Sequence, residues 1–446
     1  MNFVTRLKKG LVGDPDARFV YLNNFEVERS WAEGEPKLPG AGIAFANATV
    51  NRMEELGVLL ADPDDVVVLK APIDPGYAEY LNRLGAAGRT LTVDRNDPER
   101  SVTDDALESP RLLDALRALD DGRTYLMPLG ISPAEERLAK ETGLPLAGPT
   151  AQTCKAVNGK IFSRRLVESE GLTSVPGAVC VTVGELAGAL RTHLVPGGRV
   201  VVKESLGVSG RGMVVLDTER RAERLLRMVE RRGADAPANL VVERWIDQAT
   251  DLNYQFVVSR RGEVRFHEVK AAVVEHGVHK GHRFPVDLTT GQVDELHEAA
   301  QRIGRVLFAE GYHGMVGVDA MLGRDGTLYP CLEINARFNM STYQSRITER
   351  YIGPGRHAVA ATIGLRPSRR HTFDEVADAL GEMLFAGTGD RPGVLVNNFA
   401  TLNAAARDGE AFHGRIYAVC IAGDPAGALV LREAAERALN EMVARP

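Results

Sequence analysis

Asp319, Glu333 and Asn335 are the side chains of this sequence whose types and spacing most directly suggest chemistry. They lie in the run DAMLGRDGTLYPCLEINAR, Asp319 to Arg337, where two apolar stretches flank a Gly323-Arg324-Asp325-Gly326 turn. That pattern predicts a β-hairpin. Glu333 and Asn335 stand two apart on its second strand, so their side chains leave the same face, and Asp319 sits on the first strand. Two carboxylates and an amide oxygen then converge at one end of a ribbon otherwise built from Val, Met, Leu and Ile. Carboxylates in such surroundings are destabilising unless a cation joins them. Hard oxygen donors suit Mg²⁺, which borrows its remaining ligands from water and substrate phosphates. A solvent-facing hairpin with a polar tip would carry the same residues, so the neighbouring segments must decide.

Upstream, VVVKESLGVSGRGMVVL reads as strand, lysine, glycine-rich loop, strand. Gly207, Gly210 and Gly212 remove Cβ atoms, which lets backbone N–H groups close over an anion. The lysine, Lys203, precedes the glycines on a strand, so this is not a Walker loop, where Gly-Lys-Ser/Thr runs into a helix. The pair Gly159-Lys160 is followed by Ile161 and lacks the earlier glycine of that motif. A β-hairpin lid that closes over a nucleotide fits the pattern, as does an ordinary flexible hairpin tip. Further on, VVERWIDQATDLN is an apolar strand ending in Glu243-Arg244-Trp245-Ile246, with Asp251 soon after. A strand leaving the core offers backbone N–H and C=O groups to an adenine edge, and an acid just beyond can accept from ribose hydroxyls.

The elements that must position these residues follow from periodicity and punctuation. Residues 1–148 alternate β-rich runs (Phe19–Leu22, Val66–Leu69, Thr90–Val93, Thr124–Met127) with helical stretches, which predicts a parallel α/β unit. Ser132 is the expected N-cap of the helix that closes it. A helix is expected from Thr150 through Glu170, stopped by Gly171. Strands are expected at Arg199–Glu204, Met213–Leu216, Asn239–Arg244, Asn253–Ser259 and Glu263–Val274, with helices near Val183–His193, from Thr218 to Gly233, and over Val293–Ala309. Residues 346–364 read as helical. The remainder carries strands at Gly393–Asn398 and Arg415–Ile421 and a helix over Ala426–Val443. These breaks predict domains at 1–148, 149–368 (with a lid subdomain at about 176–242) and 369–446, the last a small α+β unit.

Composition narrows the class. Hydrophobic content of 44% and charged content of 26% over 446 residues belong to an ordinary globular chain of about two to four domains. No apolar run approaches a membrane span, and the N-terminus lacks a secretory apolar core. A net charge of −6 without a basic stripe gives no reason to expect nucleic acid. Cys154, Cys180, Cys331 and Cys420 are far apart with no CxxC, the usage expected in a reducing cytoplasm. Arginine outnumbers lysine 44 to 10, yet Lys155, Lys160, Lys203, Lys270 and Lys280 cluster mid-chain, where a compact ammonium suits phosphate. His276, His279 and His282 invite zinc, but a His-x2-His-x2-His run without a carboxylate or thiol companion reads better as a polar loop near the cleft.

Taken in order, Lys160, Lys203 with its glycine loop, ERWI with Asp251, the HEVK of Lys270 and the D…ExN set resemble the ATP-grasp superfamily. The resemblance implies an ATP-grasp core with a glycine-rich lid behind an N-terminal parallel α/β pre-ATP-grasp domain, and ATP and Mg²⁺ as cofactors, with two ions and Mn²⁺ as a substitute. It implies Lys160 and Lys203 on the nucleotide phosphates beneath a lid of Gly207, Ser209, Gly210 and Gly212. It further implies Glu243 and the backbone of Arg244 and Ile246 at adenine, Asp251 at ribose, and Asp319, Glu333 and Asn335 on metal. Lys270 matches a further phosphate lysine and Arg337 an arginine that steadies an acyl phosphate. Ala336 departs from the common ExNPR form. Asp251 lies one residue further along than in D-alanine ligase-like members. Within the superfamily the chain is similar to the pheganomycin-type peptide ligases. That implies a guanidino phenylglycine-type amino acid activated as its acyl phosphate and coupled to the amino end of a peptide in antibiotic biosynthesis. The partners implied are small amino acid and peptide substrates and a second copy of the chain, with no membrane or nucleic acid. A small-molecule kinase and a non-catalytic nucleotide-binding regulator would share the nucleotide motifs.

Overall fold

Short runs of β-branched and aromatic residues build the first sheet. The computed structural model describes residues 2–445 apart from 40–46, 87, 208–211, 276–277, 388–390 and 408. β1 (Arg18–Leu22), β2 (Val66–Leu69), β3 (Arg89–Thr92) and β4 (Thr124–Pro128) are parallel in the order β3-β2-β1-β4. All four residues of β2 are buried, as a parallel strand covered on both faces requires. The chain crosses from β3 to the far side of β1, so the sheet reverses direction of growth between β1 and β4. Helix Pro133–Thr142 follows β4 and starts at Ser132 through a capping box with Glu135, ending at Gly143 with φ 78°.

The second sheet is antiparallel, β5 (Gly177–Thr182), β6 (Val200–Glu204), β7 (Met213–Leu216) and β8 (Pro237–Arg244), in the order β5-β8-β6-β7. Helices Val183–His193 and Glu219–Val229 cover it, and Leu186, Leu190, Val200, Val202, Leu225 and Val242 form a core of its own. One residue of the N-terminal part, Leu38, is buried in that core.

The third sheet holds β9 (Gln248–Val258), β10 (Val264–Glu275), β11 (Val278–Phe284), β12 (Gly314–Gly323), β13 (Leu328–Asn335), β14 (His357–Leu365), β15 (Gly393–Asn398) and β16 (Gly414–Ala422). Its order is β13-β12-β9-β10-β11-β14-β16-β15, with every pairing antiparallel. The β12–β13 hairpin turns where the sequence predicts it, closed by Gly323 N–H donating to Thr327 O at 2.8 Å.

Three expectations are corrected. Residues 346–364 are not one helix: Thr342–Tyr351 is helical, Gly353-Pro354-Gly355 breaks it, and His357–Leu365 is a strand. Its Ala-rich sequence lacks strand propensity, but pairing with both β11 and β16 places it inside a sheet, where tertiary context overrides propensity. The helix expected from Thr150 to Glu170 is two, Ala151–Val157 and Lys160–Ser169, because Gly159 is extended at ψ 138° and Asn158 Nδ2 donates to Cys154 O at 2.7 Å. The histidine run is largely strand β11 rather than a loop. His282 there is buried, with Nδ1 at 3.5 Å from Gln344 Nε2, while His276 lies outside the described residues.

Candidate functional site

Antiparallel register lays the polar residues out in rows. Across β13, β12, β9 and β10 the partners Glu333, Asp319, Asn253 and Lys270 form one row. Two residues along, Asn335, Gly317, Gln255 and Glu268 form the next. Residues directly opposite share a face, so eight positions on four strands present one polar surface. The reverse face of β9 is Leu252, Tyr254, Phe256 and Val258, all buried, which fixes which way the rows point. Gly317 is small for a reason: a Cβ there would lie 2.1 Å from Asn339 Nδ2.

Asp319 is the most constrained acid of the surface. Its oxygens accept from Asn253 Nδ2 at 2.8 Å and Asn335 Nδ2 at 3.1 Å. Burial, and next the charge of Glu333, push its carboxyl up to about 6. Two carboxylates whose crowding raises a pKa in this way are what a cation relieves. Among the described residues no three His, Cys, Asp or Glu side chains gather around a point. A caged protein metal is therefore not the fit. Two carboxylates with an amide oxygen leave room for phosphate and water, which is the donor set Mg²⁺ takes beside a nucleotide. The Asn335 amide is oriented with its oxygen accepting from Arg337 Nη2 at 2.9 Å, so serving a metal beside Asp319 requires that amide to turn over.

The cations reach this surface from two other elements. Lys160 is the first residue of its helix because the chain breaks at Gly159; its N–H donates to Ser205 O at 2.9 Å, and its Nζ donates to Glu333 Oε1 at 2.7 Å and Gly207 O at 3.3 Å. Lys203 on β6 donates to Glu243 Oε2 on β8 at 2.6 Å. Burial opposes the charge on Lys203, but Glu243 and then Glu333 and Asp319 outweigh it and hold its pKa above the ordinary lysine value. Glu243 Oε1 in turn faces Arg164 Nη1 at 3.5 Å. Arg337 pairs with Glu28 of the N-terminal part and donates to Phe338 O at 2.8 Å.

Other expected residues are placed as follows. Gly207 and Gly212 flank the β6–β7 turn. Gly212 adopts φ 70°, and a Cβ there would lie 2.5 Å from Glu204 Oε2. Ser209 and Gly210 lie outside the described residues. β8 ends at Arg244, whose N–H donates to Pro176 O at 2.8 Å, and Ile246 lies in the short connection to β9. Asp251 is half-buried on β9, accepts from Gln248 Nε2 at 3.2 Å, and has its pKa raised by burial. Lys270 is fully buried: Nζ donates to Glu268 Oε1 at 2.8 Å and Ser341 O at 2.9 Å and lies 4.8 Å over the Phe284 ring. Burial lowers its pKa, and Glu268 only partly restores it.

Sequence reasoning missed Arg164, Asn253, Gln255, Glu28 and Glu268. Asp251, Asn253 and Gln255 alternate with Leu252, Tyr254 and Phe256, a period-two polar face that could have been read from the sequence. Glu28 has no local signal, being 309 residues from its partner.

Comparison with known proteins identifies the family. Residues 53–144 match the pre ATP-grasp domain family and residues 182–338 the ATP-grasp domain family. The butirosin acyl-carrier-protein–L-glutamate ligase of Niallia circulans is 30% identical over 327 residues, 72% of each chain. By fold, an N5-carboxyaminoimidazole ribonucleotide synthetase solved with ADP matches with a TM-score of 0.54 at 13% identity, covering 95% of this chain and 98% of that one. The biotin carboxylase domain of Hydrogenobacter thermophilus 2-oxoglutarate carboxylase, solved with MgADP and bicarbonate, gives 0.54 at 16% identity over 94% and 89%. None of the four cysteines is disulfide-bonded, and among the described residues no helix is long and apolar enough to cross a membrane. The two family matches and the relative of 30% identity, over a chain whose three sheets follow that layout, place it in the ATP-grasp family, as an ATP-dependent carboxylate–amine ligase.

Proposed function

We propose that the chain activates a non-proteinogenic amino acid of the guanidino phenylglycine type as its acyl phosphate and joins it to the amino terminus of a peptide. ADP and phosphate are released, and the setting is natural-product biosynthesis. The observation that carries the ligase chemistry is the convergence of Lys160, from a helix, on Glu333, in the same row as Asp319. The substrate class is supported by the resemblance to pheganomycin-type ligases and by the relative named as joining L-glutamate to an acyl-carrier protein.

In this reading Lys160 and Lys203 hold the phosphates, releasing the carboxylates they now touch. The lid of Gly207, Ser209, Gly210 and Gly212 excludes water. Glu243, Ile246 and the backbone of Arg244 face the adenine, and Asp251 the ribose. Asp319, Glu333 and Asn335 would hold Mg²⁺, in two ions, which would supply charge neutralisation during phosphoryl transfer. The acid's carboxylate oxygen attacks the γ-phosphorus and the bond to ADP breaks. The peptide's neutral amine then attacks the acyl carbon, the C–O bond to phosphate breaks, and the amine proton is lost. Arg337 leaves Glu28 to steady the acyl phosphate. For Lys270 a phosphate role requires its ammonium to leave Glu268. Its present geometry fits holding the Ser341 backbone in place beside the acyl site.

An ADP-release screen over candidate acids and peptides, read by mass spectrometry, tests this. Phosphate release that requires both acid and amine, with a condensed product, is the expected result. Phosphate retained on the acceptor would make the protein a kinase, and nucleotide binding without any turnover would make it a regulator.

A further inference from the structure

One helix joins the acid-lined sheet to the lid sheet, and its side chains divide between the two. On Lys160–Ser169, Lys160 reaches Glu333, and Ser163 Oγ accepts from Ile334 N–H at 3.0 Å, both on β13. Arg164, about one turn beyond Lys160, serves the lid sheet instead. Its Nη1 donates to Val175 O and its Nη2 to Gly177 O on β5 at 3.3 Å, while Nη1 lies 3.5 Å from Glu243 Oε1 on β8. Gly177 and Glu243 are register partners. A Cβ on Gly177 would stand 2.2 Å from Val242 O, so glycine lets the strands bring that carbonyl and that carboxylate to one guanidinium.

Glu243 is held by a different cation on each oxygen. Arg164 faces Oε1, and Lys203 Nζ donates to Oε2 at 2.6 Å. Arg164 and Glu243 are 7% and 5% exposed, and among the described residues these two are the ion pairs of Glu243. Arg164 also meets Glu168 Oε1 at 2.6 Å, but the Glu168 side chain is 47% exposed and water screens it. Nucleotide binding, in the proposed reaction, takes Lys203 from Glu243 to a phosphate. A buried carboxylate stripped of its cation is strongly destabilised, and that would oppose the move. With a guanidinium already on Oε1, Glu243 stays paired after Lys203 leaves. The planar fork of arginine spans both carbonyls and the carboxylate at once, which a compact ammonium does less well.

We propose that Arg164 is a positioning residue that keeps Glu243 neutralised while Lys203 transfers to the nucleotide phosphates. This rests on the reading that puts Lys203 on those phosphates. Arg164 acts through Glu243, so its effect depends on whether the ligand carries phosphate. A purely structural Arg164, holding the chain at Val175 and Gly177, would affect every ligand of the pocket alike.

Calorimetric titration of the full chain with magnesium tests this by comparing a nonhydrolysable ATP analogue with adenosine, which has no phosphate to draw Lys203 away. Arg164→Gln is expected to weaken the analogue roughly tenfold or more and to leave adenosine within about twofold. Adding Glu243→Gln removes the charge that needs a counterion. The double variant should therefore show the same analogue-to-adenosine affinity ratio as Glu243→Gln alone. It buries no unpaired carboxylate, so it carries the test if Arg164→Gln alone fails to fold. Equal losses for both ligands, unchanged analogue affinity in Arg164→Gln, or a double variant whose ratio falls below that of Glu243→Gln would each overturn the proposal. A wild-type chain that binds the analogue no more tightly than adenosine, or binds neither, sinks instead the reading of Lys203 as a phosphate ligand, and the proposal with it.

Discussion

Asp319 ties stability to pH at a single carboxyl. Its folded pKa of about 6 lies above the ordinary 3.8, so the folded protein holds that proton more tightly than the unfolded chain. The ligand-free protein should therefore gain stability as pH falls through 6 towards 4, and lose it as pH rises through the same window. At pH 7 the penalty is about 3 kcal/mol. Asp319→Asn should remove much of it, raising the melting temperature of the ligand-free protein while abolishing turnover. A variant that melts lower would show that its hydrogen bonds to Asn253 and Asn335 dominate. Magnesium affinity, measured by calorimetry, should fall as pH drops below 6. Glu333→Ala removes a carboxylate from the same row and leaves Lys160 unpaired; turnover should be lost, and near-normal ligation rates would refute its role. Lys203→Ala leaves buried Glu243 with Arg164 as its remaining cation, and the Michaelis constant for ATP should rise roughly tenfold or more. Unchanged nucleotide affinity would mean the pocket lies elsewhere. At this scale the sequence was legible where the pattern is local, as with Lys203 on its strand before the glycines. It was silent where partners such as Glu28 and Arg337 meet only through folding.

Among the elements, the joint between β11 and β14 carries the most structural weight, since among the described residues it is the strand pairing that attaches β14, β16 and β15 to the sheet of the site. Gly281 makes that joint possible. Its φ is 149°, and a Cβ would stand 1.6 Å from Ala360 O, so the strands could not keep their spacing. Gly281→Ala is expected to destabilise by about 3 kcal/mol or more, read by chemical denaturation. A change under about 0.5 kcal/mol would show that the strands slide apart freely. Caps were readable locally, as Ser132 and Thr218 show, because an N-cap acts within its own turn. The strand His357–Leu365 was not, because its Ala-rich pattern gains strand character only from neighbours on both sides. The break at Gly159 was visible as a Gly, but its purpose, delivering Lys160 at a helix start, needed the Ser205 contact to be seen.

Across the whole molecule the N-terminal part and the large sheet are not separable in their packing. One apolar core runs from Phe3 and Val4 through Tyr254 and Phe338 to Val443. Tyr77 and Tyr80 of the N-terminal part meet the Phe373 ring at 4.9 and 5.1 Å. A fragment beginning at residue 149 would expose those surfaces and is expected to aggregate or expand rather than bind nucleotide. Circular dichroism and nucleotide titration of that fragment check this, and a folded, ATP-binding product would contradict it.

Leu38 crosses from the N-terminal part into the core beneath the glycine lid, and its N–H donates to Glu204 Oε1 at 2.6 Å, on the residue next to Lys203. The sheet that carries Lys203 is thus tied to a distant stretch of chain. Any opening of that sheet would have to drag the stretch along or break the Leu38–Glu204 hydrogen bond. A fluorophore on exposed Lys37 is expected to report such an opening as a change in emission when nucleotide is added.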